Sequence, residues 1–168
     1  MSCVDLLLDS WDRQGAMVDS LLVRIDDGNR KFLPSADGMS IEEQFAHMHS
    51  TRRFFLSDVR PDLFAAVGSS YVDAERSAVV SLEDLKKRLK ESHSAVRRAV
   101  AEGLDQGGHA LKGENVTYDN PVLFLQHMIW HEGWHVGLVM LALRLNGQEP
   151  PEEWEEEQLW GRWRTEVW

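Results

Sequence analysis

The chain has 168 residues, 43% hydrophobic and 27% charged, a globular composition long enough to bury roughly 70% of its unfolded surface as one domain, residues 1–168. Asp and Glu number 28 against 18 Lys and Arg, and the formal charge of -10 argues against a nucleic-acid partner or an anionic membrane surface, both of which call for clustered cations. The single cysteine, Cys3, excludes an internal disulfide framework and a cysteine-based zinc site, and the opening MSCVDLLLDSWDR lacks an export signal, so a cytoplasmic location is expected.

Four segments carry helical periodicity and none reads as a convincing strand. The first runs from about Val4 to Ile25, with Leu7, Leu8, Trp11, Val18, Leu21 and Leu22 near the required spacing and Gly28 placed to cap its end. The second opens after Ser40, which forms a capping box with Glu43, and continues through Phe45, Met48 and Phe55 until Pro61 stops it. The third begins at Ser81, with Asp84 three residues on, and runs to about Glu102. The fourth starts at Asn120-Pro121 and ends at Asn146-Gly147. The second and third are joined by about twenty residues, too many for a hairpin, so a crossover along a bundle is expected. An acidic tail from Pro150 carries Trp154, Trp160, Trp163 and Trp168, which are expected to pack back over the bundle, with the run Glu152 to Glu157 as a solvated face. The fold class expected is therefore all-α: a four-helix bundle with a long second connection and a packed tryptophan-rich tail.

The fourth segment is apolar enough to resemble a membrane span, yet Gln126, His127, His131, Glu132 and His135 lie inside it. An internal helix buried on most sides is the better reading. Its three histidines recur every four residues and so share one face. Its main apolar stripe is taken as Val122, Leu125, Ile129, Val136, Met140 and Leu143, with His131 and His135 roughly opposite. The trio spans roughly 12 Å, too far for one ion, but an i, i+4 pair can converge on a divalent metal. A third ligand must come from another helix, and the second segment offers His47, well off its apolar stripe, and His49, near its edge.

His131-Glu132-Gly133-Trp134-His135 also matches H-E-x-x-H, in which two histidines bind zinc and the glutamate deprotonates a bound water. The longer extension of that motif is absent, and no strand is available to hold an extended peptide, so a zinc metallopeptidase is the lesser reading. A di-iron carboxylate site needs Glu-x-x-His on two helices, and only Glu132 to His135 supplies one. No phosphate loop, dinucleotide fingerprint or nucleophile elbow is present.

The segment Phe45-Ala46-His47-Met48-His49-Ser50-Thr51-Arg52-Arg53-Phe54-Phe55-Leu56 and the string from His131 to Gly137 together resemble the DinB/YfiT-like family. The resemblance implies a four-helix bundle holding one divalent metal on three histidines, matched here by His47, His131 and His135, with Glu132 at the family's acidic position. It also implies zinc or nickel, with iron or manganese as further options, and a thiol-dependent S-transferase or related enzyme acting on a low-molecular-weight thiol and an electrophile. Glu132 is then expected to orient a ligand or move a proton, or else simply to pair with a neighbouring cation at the surface. Trp134, Val136 and Leu138 stand where the family has His, Arg and Gln, so contacts of those polar side chains are not carried over. Family members commonly pair, so a homodimer is expected; the competing reading is a non-catalytic dimeric bundle whose metal site is structural or vestigial.

Overall fold

Four polar side chains just ahead of the apolar segments set where the long helices begin. A computed structural model describes residues 2–164. Helix α1 (Cys3–Val23) starts at Ser2, whose hydroxyl accepts from the Asp5 N–H at 3.1 Å while the Asp5 carboxylate accepts from the Ser2 N–H at 2.7 Å. Helix α2 (Ile41–Val59) starts at Ser40, whose N–H and hydroxyl both donate to Glu43, at 2.7 and 2.6 Å. After the short α3 (Pro61–Phe64) comes α4 (Leu82–Asp105), where the Ser81 hydroxyl accepts from the Asp84 N–H at 3.1 Å. A two-residue hairpin, β1 (Leu111–Lys112) and β2 (Thr117–Tyr118), precedes α5 (Pro121–Leu145), whose Leu123 N–H donates to Asn120 at 3.1 Å. Such caps serve N–H groups that the start of a helix leaves without intrahelical partners. A short α6 (Glu152–Glu155) and a π-helical turn over Glu156–Trp160 follow.

Three expectations need correction. The chain is predominantly helical but not free of strand: the turn after β1 wraps the Asp58 carboxylate, which accepts the N–H groups of Glu114, Asn115 and Val116. A Cβ on Gly113 would lie 2.1 Å from that carboxylate, so glycine is required there, and a hairpin this short leaves no alternating pattern to read. Gly28 does not cap α1 in the left-handed region; the turn is closed by the side chains of Asp26, which accepts from the Gly28 N–H at 2.8 Å, and Asn29, which donates to the Arg24 carbonyl at 3.0 Å. In the tail, Trp154 packs on the core beneath Arg24, and Leu159 is buried, whereas Trp160 and Trp163 remain 50% and 42% exposed. Trp168 lies outside the described residues.

Helices α1 and α2 each pack against both α4 and α5, and α4 packs against α5. The apolar residues between them form two clusters. One gathers Leu21, Ile41, Phe45, Met48, Leu85, Val139 and Leu143; the other gathers Trp11, Leu56, Val96, Phe124, Leu125 and Met128. On every long helix a buried polar residue falls between the two: Gln14 on α1, His49 and Arg52 on α2, Ser92 on α4, and Glu132 and His135 on α5. Among the described residues no helix is long and apolar enough to cross a membrane.

Candidate metal centre

His131 and His135 lie one turn apart on α5, and α2 brings His47 across to meet them. The Nε2 atom of His131 lies 3.3 Å from that of His47 and 3.2 Å from that of His135, and one ligand atom from each ring falls within 4.8 Å of the others. A tetrahedral ion about 2.0–2.1 Å from each nitrogen would hold them about 3.3–3.4 Å apart, so the donor set fits a divalent metal. Burial and the neighbouring imidazoles push His131 and His135 down to about 4, and burial followed by the nearby Arg76 lowers His47. All three rings are therefore neutral near pH 7, the state in which imidazole is a ligand.

One ring is oriented from behind. His135 Nδ1 lies 2.5 Å from Gln44 Oε1, and the Gln44 amide nitrogen donates to the Met39 carbonyl at 3.0 Å. That second bond fixes which way the amide faces, so Nδ1–H donates to Oε1 and the Nε2 lone pair is left pointing into the cluster. The Thr51 hydroxyl faces the same point, 3.4 Å from His131 Nε2 and 3.5 Å from His47 Nε2. The cluster opens into a cleft of ≈ 400 Å³ lined by His47, Ser50, Thr51, Phe54, Phe55, Arg76, His127 and His131.

The other histidines near this site are already engaged. His49 is fully buried with Ser92 Oγ 3.1 Å from one ring nitrogen and the Gly68 carbonyl 2.8 Å from the other. His127 lines the cleft, but its Nδ1 is 2.8 Å from Tyr118 Oη and its ring meets the edge of Phe55.

Glu132 turns the other way. Its carboxylate accepts from Arg52 Nε at 2.6 Å and from the Gln14 amide at 3.4 Å, and both ion-paired side chains are 1% exposed. It pairs with a cation, as one reading expected, but in the core rather than at the surface. The base that an H-E-x-x-H peptidase needs beside a metal-bound water is thus committed elsewhere. Arg52 also donates to the Leu89 carbonyl at 2.8 Å and to Ser92 Oγ at 3.1 Å, and lies 5.1 Å from the Trp11 ring centroid.

The buried face of α5 differs from the expected stripe. It is centred on Phe124, Leu125, Met128, Glu132, Val139 and Leu143, which puts His135 within it and His131 at its edge rather than opposite it. Nor is the helix buried on most sides: Leu123, Trp130, Trp134, Leu141 and Leu145 form an exposed row. A helix apolar all round carries no phase, so its inward face had to be set by neighbours. Gln44 and Arg52 also escaped the sequence reading, although each is a polar residue at a core phase of α2.

The DinB family model matches residues 1–162. No curated protein matches the sequence.

Proposed function

The chain belongs to the DinB family, and from that premise we propose that it is a four-helix-bundle enzyme that uses one divalent metal to activate a small thiol for transfer to an electrophile. The observation that carries this reading is the convergence of three neutral imidazole nitrogens at the inner end of an open cleft. A divalent ion held there supplies a Lewis acid that lowers the pKa of a bound thiol at neutral pH. Three imidazoles suit zinc or nickel first and iron or manganese next.

The chain's own residues do the rest. His47, His131 and His135 would hold the ion. Gln44 keeps His135 in the ligating tautomer, and Phe54 and Phe55 offer an apolar wall for the electrophile. The sulfur uses the electron pair of its S–H bond, whose proton leaves to solvent, to form its new bond to the electrophilic carbon, while that carbon's bond to its leaving group breaks and the group departs with the bonding pair. Glu132 acts as a positioning residue, fixing α5 against α2 and α4 through Arg52.

Elemental analysis of the purified chain beside His135→Ala, with free thiol titrated against the optical signal of bound cobalt, tests the reading. It expects about one metal per chain, lost in the variant, with a signal that thiol perturbs. No metal after reconstitution leaves a helical interaction module, and bound metal indifferent to thiol leaves a structural site; either outcome overturns the reading.

The same reading includes pairing of two copies through the exposed row on α5. Leu123, Trp130, Trp134, Leu141 and Leu145 present apolar surface on the order of 600 Å² per copy, near the lower end of one side of a standard interface. Elsewhere two chains of charge -10 repel one another. Sedimentation velocity should show a dimer that Trp130→Glu converts to monomer; a monomeric wild type ends this part of the proposal.

A further inference from the structure

Arginines in this acidic chain are mostly tied to carboxylates, as in Arg52–Glu132, Arg60–Asp62 and Arg88–Glu91. Arg53 and Arg76, like Arg24 on the Trp154 ring, are exceptions: among the described residues none of them makes an ion pair or a side-chain hydrogen bond, and Arg53 Nε is buried without a partner. Each guanidinium instead rests on a ring, Arg53 at 4.7 Å from the Phe64 centroid and Arg76 at 5.4 Å from that of Tyr71. An aromatic platform holds the fork in place while its N–H groups stay free.

Arg53 and Arg76 stand at one place. A pocket of ≈ 260 Å³ lined by Arg53, Ser69, Tyr71 and Arg76 adjoins the metal cleft and shares Ser50, Phe54 and Arg76 with it. Arg76 reaches it from the connection between α3 and α4, where the chain folds back with the Val72 N–H donating to the Ala78 carbonyl and the Val80 N–H to the Ser70 carbonyl, both at 3.0 Å. At the tip Arg76 has φ 58, the one non-glycine residue in the left-handed region among those described. An arginine kept at a strained turn with only an aromatic ring beneath it leaves its N–H groups for something else. Asp73 also lines this pocket, but its carboxylate accepts from the Ser77 N–H at 2.9 Å and from the Ser77 hydroxyl.

We propose that Arg53 and Arg76 form an anion subsite beside the three-histidine cluster, selecting a small thiol that carries carboxylate groups. This rests on the thiol reading above for the ligand's other end. The guanidinium forks take the carboxylates through paired N–H donors, while the sulfur extends along the shared wall of Ser50 and Phe54 toward His47 and His131.

The test compares mercaptosuccinate with its dimethyl ester on the cobalt-loaded full chain, wild type beside Arg53→Gln/Arg76→Gln, followed by the cobalt absorption bands. The diacid should bind wild type about tenfold or more tightly than the diester, and the double variant should reduce that ratio by about tenfold with diester binding unchanged. Unchanged diester binding also shows that the variant is folded with its cluster intact. A diacid-to-diester ratio equal in the two proteins overturns the subsite while leaving the thiol reading in place. If neither thiol perturbs the bands, the thiol reading fails instead, and calorimetry of succinate with the metal-free chain decides the subsite alone. Binding by wild type that the double variant loses supports it, and no binding by wild type overturns it.

Discussion

His131 and Glu132 are adjacent on α5, yet they belong to polar regions of opposite kinds. Glu132 enters a layer between the two apolar clusters in which Arg52, Gln14, Ser92 and the Leu89 carbonyl complete one another's hydrogen bonds, and the ion pair is 1% exposed on both sides. His131 enters a cluster whose converging Nε2 atoms have only one another and the Thr51 hydroxyl for company. Three neutral imidazoles cannot all offer a proton into that point once His135 spends its own on Gln44. The chain finishes the first region by itself and leaves the second open, in an arrangement compatible with a divalent cation. A buried polar group is therefore not by itself a sign of a functional site; what separates the two regions is whether the valences are closed.

The largest effect is expected from opening the closed region. Glu132→Ala leaves Arg52 buried without its counter-charge and should remove about 3–5 kcal/mol of stability, a fall in Tm on the order of 10 °C for a chain of this size. Urea unfolding measures it. Arg52→Met combined with Glu132→Leu should recover most of that loss, since removing both charges removes the desolvation cost along with the attraction. At temperatures where Glu132→Ala is folded it should still bind one metal per chain, because its carboxylate meets none of the three histidines. If the variant instead keeps its stability and loses the metal, the division between the two regions is wrong.

How far each region was legible in the sequence follows from the same distinction. Ser40 and Ser81 announced their helices, as Pro121 did α5, because the chemistry of a helix start is local and read within three residues. The i, i+4 spacing of His131 and His135 was equally local, and His47 on α2 needed only one partner helix. The long second connection was visible as a length, but not that it folds back on itself to present Arg76, which depends on backbone pairing between residues 70 and 80. Arg52 and Glu132 were opaque for another reason. Each is a charge at a core phase, and a charge there reads as surface until the opposite charge on another helix is placed against it. The facing of α5 was hidden by its apolar residues on every side, including Trp130 and Trp134, which the fold leaves 71% and 61% exposed.

A smaller change sharpens the contrast from the open side. Gln44 is 1% exposed and touches the cluster only through the Nδ1 of His135, so its side chain affects the metal through the tautomer and aim of one ring. Gln44→Ala frees that ring to turn or to place its proton on Nε2, and metal affinity should fall about 10- to 100-fold. The cost in unfolding free energy should be well below that of Glu132→Ala, because no charge is stranded. Competition against a chromophoric chelator measures the affinity, and urea unfolding of the metal-free protein measures the rest. Gln44→Glu separates orientation from packing, since a carboxylate in the same place still accepts the Nδ1–H and should restore affinity close to wild type. A purely structural Gln44 would show the reverse: metal affinity unmoved by Gln44→Ala, and stability lost whenever its Oε1 or its amide is removed.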